Sequence, residues 1–447
     1  MMARGDGWSP GIENSVHSSP TADSAAAPGR RSGIVSTTIR ATPVLLLLYF
    51  DLFPRLVGRS FLMIGAVLVV LLGFHELLRP TSRARVVVFW VLLTFGILAA
   101  PGVLRPPETE YGQEKLLFLV TLTLLSAAAV ALIRGRRDVE MFAAMFVVCG
   151  VVLALAALAA GSPDGRSQGF GANPIWLGRA TGAAVVAVAW LYYRKRLSGW
   201  WAAALALILA LGLFATGSRG PMVATVVALL VLALAGLRQK VGRGRREWIG
   251  VGLMAGLAAT FVAFPSLLPP RMYALLVDPS DELELSVRPE MQKATLPIIA
   301  EHPAGVGFGN WAHYSGMLKH DYPHNLWLEL TAEAGWLVGG ALILAVTVVA
   351  VGLWRAARVD AVAGFALALL AFNVVAVSTS GDINGNRALF SSLALGLLVL
   401  TGATLDRGGD RRGRVPDDHR RLPVGGVLRE SGWAGTARGV GGEYTRR

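Results

Sequence analysis

Long apolar runs separated by short polar interruptions fill this chain from about residue 38 to residue 405. They fall near 38–57, 60–78, 86–103, 115–133, 139–160 and 173–193, then near 198–216, 219–237, 248–265, 326–354, 361–378 and 388–405. Each approaches the roughly 20 apolar residues that carry an α-helix across a bilayer. In lipid, backbone polar groups must pair within the segment, so these runs are helices. A membrane barrel would instead alternate apolar and polar positions over segments of about ten residues. The pattern predicts an all-α polytopic membrane protein of twelve spans, or eleven if Asp51 and Pro54 disqualify the first.

The polar interruptions give the orientation. Arg79, Arg83 and Arg85 form one basic cluster, Arg134, Arg136 and Arg137 the next, and Arg194, Lys195 and Arg196 a third. Arg238, Lys240, Arg243, Arg245 and Arg246 follow, then Arg355 and Arg358. They occupy every second loop, which is the distribution of cytoplasmic loops. With twelve spans both termini are then cytoplasmic. The long polar segment 266–325 falls on the far side, with four cations against seven acids. The expected organisation is a disordered N-terminal tail over 1–37, spans over 38–265, an extracytoplasmic catalytic loop over 266–325, spans over 326–405, and a disordered basic tail over 406–447. The Ser, Pro, Gly and Ala-rich start is too polar for the apolar core of a cleavable signal peptide.

Composition narrows the function classes. The chain is 54% hydrophobic and 16% charged, well short of the roughly 25% charge of soluble domains. Its net charge of +13 lies in loop clusters that set topology, so nucleic acid is not the expected partner. Cys149 is the single cysteine and sits in an apolar run, which fits packing and leaves no thiolate metal site. No internal repeat is visible, which weakens a transporter or flippase built from duplicated halves.

The chemistry is expected where ionisable groups meet the far face, because such groups at a membrane boundary are costly unless paired or used. Thr216-Gly217-Ser218-Arg219-Gly220-Pro221 is a tight turn into a span, with Pro221 suited to the first helical turn. It directs a positive helix end and Arg219 to that face, the makings of an anion site. The plainer reading is an Arg snorkelling to lipid headgroups. Arg288 follows Ser286, a candidate helix cap, and Pro297 is expected to kink or end that helix. Arg288 reads either as a second phosphate ligand or as the ion-pair partner of Glu284 or Glu290.

Downstream lies His302-Pro303-Ala304-Gly305-Val306-Gly307-Phe308-Gly309, running on to Tyr322-Pro323-His324-Asn325. Gly305 and Gly307 resemble a phosphate cradle outside the βαβ context that would support nucleotide binding; they also permit the loop to fold back and bring Arg288 and His324 towards Arg219. His320 and His324 have helical metal-ligand spacing, but Pro323 between them disfavours a helix, so no metal is expected. His324 reads as a hydrogen-bonding group or general base beside Asn325, with anchoring of the next span as the alternative. Glu333 lies in an apolar helix where an unpaired carboxylate would be costly. Arg179 and Arg387, in two further far-side segments, could line the same cavity or belong to ordinary turns.

These residues, in this order and membrane setting, resemble the O-antigen ligase and polysaccharide polymerase family of membrane glycosyltransferases. The resemblance is carried by Thr216-Gly-Ser-Arg-Gly220, Arg288, His302-Pro-x-Gly305-x-Gly307, and Tyr322-Pro-His-Asn325 followed by Glu333-Ala-Gly335. It departs from the family where Pro289 follows Arg288 and Gln292 replaces a frequent Trp. It implies transfer of glycan from an undecaprenyl-diphosphate-linked donor on the outer face of the cytoplasmic membrane, to a glycan, lipid or protein acceptor, without cofactor, metal or nucleotide sugar. It also implies that Arg219 and Arg288 hold the diphosphate and that His324 assists the acceptor. Gly217, Ser218, Gly305, Gly307, Asn325, Glu333, Arg179 and Arg387 are expected around the bound substrate.

Overall fold

The apolar runs are helices in the computed structural model, which describes residues 28–49, 67, 71, 82–160, 166–239 and 287–402. In chain order these are α1 (Pro28–Leu48), α2 (Ser82–Leu104), α3 (Glu110–Leu132), α4 (Arg136–Ala160), α5 (Pro174–Tyr193), α6 (Gly199–Ala215) and α7 (Arg219–Leu237). Then come α8 (Arg288–Glu301), α9 (Trp311–Ser315), α10 (Leu326–Ala334), α11 (Trp336–Ala356), α12 (Ala361–Thr379) and α13 (Arg387–Thr401). Among the described residues seven helices are long and apolar enough to cross a membrane. The protein is an all-α polytopic membrane protein. The expected span 60–78 apart from residues 67 and 71, the span 248–265, the basic tail 406–447 and the first part of the long loop, 266–286, lie outside the described residues.

Local sequence explains the helix starts. Asn173 caps α5 by accepting from the Ile175 amide at 2.9 Å, with Pro174 in the first turn. Asp360 caps α12 through the Val362 amide at 2.9 Å, and Thr109 caps α3 through the Gly112 amide. Three boundaries differ from expectation. α1 begins at Pro28, ten residues before the expected span and inside the expected tail. The run 326–354 is two helices, because Gly335 at φ +91° turns the chain where a side chain would strike the Pro303–Ala304 backbone. α8 continues through Pro297 to Glu301, and its first-turn flank is Val287.

α12 is the central helix, mostly buried, and packs against α5, α7, α11 and α13. Side-chain-free positions let the backbones close, as membrane helix contacts require. Gly182 of α5 admits Thr225 of α7 and Phe372 of α12, and Gly220 of α7 lies against the Thr379 side chain. At one end of the bundle Arg136 pairs with Asp360, and Arg194 and Arg196 pair with Glu140. Several of the Arg-rich loops therefore share a face. The residues of interest lie at the other end, where Met291, Ile298, Val306, Trp311 and Ala332 form a small core that seats α8 and α9 on α10. Trp311 Nε1 donates to Thr295 Oγ1 at 2.8 Å, and Trp336 Nε1 to the Ile299 carbonyl at 2.8 Å.

Candidate active site

The last carbonyls of a helix have no partner within it and carry its negative end. At the end of α12 they are taken by arginines. Arg179 Nη2 donates to the carbonyls of Ala376 and Ser380 at 2.7 Å each, and its Nη1 donates to Asn386 Oδ1 at 2.7 Å. Arg288 Nη1 donates to the Thr379 carbonyl at 2.9 Å. Trp327 Nε1 donates to Ser378 Oγ at 2.9 Å, bringing the start of α10 to the same place. Gly220 against Thr379 brings the start of α7 with Arg219. The positive ends of α7, α8 and α10 thus converge on residues 378–380, with Arg219 and Arg288 at the first positions of their helices.

This join unites the three residues that the sequence singled out. Arg288 is close enough to Arg219 for the two charges to act on each other, and with burial this draws the Arg288 guanidinium below its ordinary value. A guanidinium carries five N–H donors, and among the described residues Arg288 uses one, on Thr379. His324 stands beside it in a left-handed backbone conformation, φ +56°, with its ring 4.5 Å from the Tyr322 ring and edge-on to it. Its buried Nδ1 has no hydrogen-bond partner among the described residues. Burial, then the Arg288 charge, then His320 lower the imidazole to about 4. His324 is therefore a neutral ring with a ring nitrogen at its disposal.

The remaining expected residues make contacts within the protein. Arg179 has both Nη atoms committed to α12 and its following loop, and its guanidinium lies over Trp176 at 5.0 Å. Arg387 is buried, with Nε on the Leu47 carbonyl and Nη1 on the Asn384 carbonyl. Gly217 at φ +57° makes the turn before α7, and the buried Ser218 hydroxyl donates to the Thr216 carbonyl. Asn325 Oδ1 caps α10 through the amides of Trp327 and Leu328. The glycine loop is no phosphate cradle, because its amides are spent on protein. Val306 N–H donates to the Ala332 carbonyl and Gly307 N–H to the Glu333 carbonyl, both at 2.9 Å, while Gly305 N–H donates to the His302 carbonyl at 2.8 Å. The loop caps the end of α10.

Glu333 points into a buried ion cluster. Lys115 Nζ of α3 lies 2.5 Å from Glu333 Oε2 and 2.5 Å from Glu329 Oε1. Burial pushes both carboxyls up while the ammonium opposes it. The Ile383 amide adds a hydrogen bond to Glu329 Oε1 at 3.3 Å, and Asn384 bridges Thr123 Oγ1 and the Lys115 carbonyl. Sequence reasoning missed Lys115 as a member of this region and gave Tyr322 no role of its own. A signal existed for the lysine: two glutamates spaced i, i+4 share one face of an apolar helix and call for a counter-charge.

Residues 204–344, from α6 into α11 and including Arg219, Arg288 and His324, match the family model described as O-antigen ligase. The chain is similar to an O-antigen ligase of Pseudomonas aeruginosa, 32% identical over 227 residues, covering 48% of this chain and 51% of that protein. The chain thus spans about half the length of the curated relative it matches. Within the matched residues 204–344, the three helix starts and the His324 loop form the part that meets α12.

Proposed function

We propose that this protein is a membrane glycosyltransferase that transfers or polymerises glycan from an undecaprenyl-diphosphate-linked donor on the outer face of the cytoplasmic membrane, in cell-surface polysaccharide assembly. The observation that carries the reading is the placement of Arg288 on the Thr379 carbonyl, where the starts of α7, α8 and α10 meet beside His324. Neither Arg288 nor Arg179 has a carboxylate at ion-pair distance among the described residues. An anion with several acceptor oxygens compensates such a cluster, and diphosphate has the charge and geometry to do so.

In this mechanism the acceptor hydroxyl oxygen attacks the anomeric carbon of the donor sugar. The anomeric carbon–oxygen bond breaks, and its electron pair leaves on the lipid diphosphate. Arg219 and Arg288 stabilise the charge that builds there, which preorganised cations do well in a water-poor site. His324, neutral and with a ring nitrogen available, accepts or shares the acceptor proton. The scaffold groups Arg179, Asn325, Gly305 and the Lys115 cluster hold the three active groups in register.

Purified protein in proteoliposomes, given lipid-linked oligosaccharide and an acceptor glycan or lipid, tests this reading. It should release undecaprenyl diphosphate and form a new glycosidic product, and Arg219→Ala, Arg288→Ala and His324→Ala should each remove that activity without removing the protein from the membrane. Movement of intact donor across the bilayer with no diphosphate released would make the protein a transporter.

A further inference from the structure

Tyr322 has no part in the mechanism above, yet it occupies the middle of the site. It precedes Pro323 and His324, is half-buried, and presents its ring edge-on to His324 at 4.5 Å. Its hydroxyl makes no hydrogen bond to any described residue and is not fully enclosed by protein. It lies close enough to Arg288 and Arg179 for its charge state to act on both, and close enough to Asp382 for that carboxylate to act on it. Burial and then the Asp382 carboxylate push the phenol up to about 12, so it keeps its proton throughout the working range.

The need for such a group follows from what its neighbours have spent. Arg179 has committed its Nη atoms to α12, and Arg288 has committed one donor to Thr379. Arg288 and Arg219 already repel one another, so a further cation at this spot would raise that repulsion. A neutral phenol offers a hydrogen-bond donor without adding charge.

We propose that Tyr322 is a catalytic residue whose phenol donates a hydrogen bond to the diphosphate leaving group held by Arg288, while its ring packs His324. This rests on the functional reading given above. The phenol keeps its proton; the breaking bond is still the one between the anomeric carbon and the diphosphate oxygen, and the hydrogen bond strengthens as charge collects on that oxygen.

The test compares Tyr322→Phe and Tyr322→Ala with the native full chain in proteoliposomes, using undecaprenyl-diphosphate oligosaccharide as donor and added undecaprenyl diphosphate as inhibitor. Phe keeps the ring against His324 and removes only the donor. Loss of one donor to a developing anion costs up to about 10²–10³ in turnover when the donor is optimally placed. Tyr322→Phe is expected to lose about tenfold to a hundredfold in kcat, and inhibition by undecaprenyl diphosphate should weaken several-fold. The acid side of the pH–rate profile should not move. If Tyr322→Phe keeps turnover and inhibition within twofold of native while Tyr322→Ala is inactive, the residue only packs His324 and the proposal is overturned. Full activity in Arg288→Ala and His324→Ala would instead remove the functional reading itself, whatever Tyr322→Phe does.

Discussion

Lys115 Nζ lies 2.5 Å from Glu333 Oε2, tying α3 to a helix of nine residues that starts beside His324. The same ammonium holds Glu329 one turn earlier, so α10 is clamped twice from one side. A helix this short has little stability of its own, and its position depends on such tertiary contacts.

Removing the ammonium leaves two buried carboxyls without a counter-charge, and breaking a buried pair in this way costs about 3–5 kcal/mol. Lys115→Met should therefore lower the unfolding temperature in detergent sharply. Adding Glu329→Gln and Glu333→Gln to it should recover part of the loss, because the uncompensated charges are gone. A Lys115→Met protein as stable as native would show that the clamp is unimportant.

Arg288→Lys keeps the charge but not the fork. A lysine cannot hold the Thr379 carbonyl in that geometry and also offer the planar set of donors that a diphosphate engages. Turnover should fall by about 10²-fold with little change in unfolding temperature. Initial rates of lipid diphosphate release, set beside a thermal scan of the same preparation, measure both.

The His324 value of about 4 sets a pH dependence. Since it lies below the usual histidine value, the unfolded chain takes up the proton first as pH falls. His324 therefore costs no stability above about pH 6.5, and stability declines from there down through about pH 4. Activity that needs the neutral imidazole should likewise survive to near pH 4 as far as this residue is concerned. His324→Asn, which tolerates the left-handed backbone, should flatten the acid side of the stability profile while abolishing transfer. An unchanged slope in melting temperature against pH would refute the assignment.

Gly305 has φ +81°, and a side chain there would collide with the Glu333 carbonyl. Gly305→Ala combines backbone strain of about 1–3 kcal/mol with displacement of the loop from the end of α10. Reduced stability and reduced transfer are both expected. Hydrogen exchange should show the loss of protection first at Val306 and Gly307, whose amides bond to α10.

Much of the fold was legible in the sequence. Spans such as 139–160 and 361–378 correspond to α4 and α12 within a few residues, because lipid allows an apolar run few alternatives to a helix. Arg219, Arg288 and His324 stood out for a related reason: charged or titratable groups are sparse at the far face, so each one asks for an explanation. Less was legible where partners are distant in sequence. Arg179 and Arg387 looked like ligands until the carbonyls of Ala376, Ser380 and Leu47 were found against them. Glu333 looked costly and unpaired because its partner Lys115 lies 218 residues away in the chain. The glycine loop looked like an anion cradle because its own sequence does not show that its amides cap α10.

By itself, then, the sequence determined that the chain is a bundle of membrane helices and which scarce polar residues needed a use, since hydrophobic burial and backbone pairing are read along the chain. Only the tertiary structure decided which of those residues are committed to distant parts of the chain and which, like Arg288 and His324, keep polar atoms without a partner among the described residues. That division depends on where each hydrogen bond ends, and at this site the ends lie on helices from opposite parts of the chain.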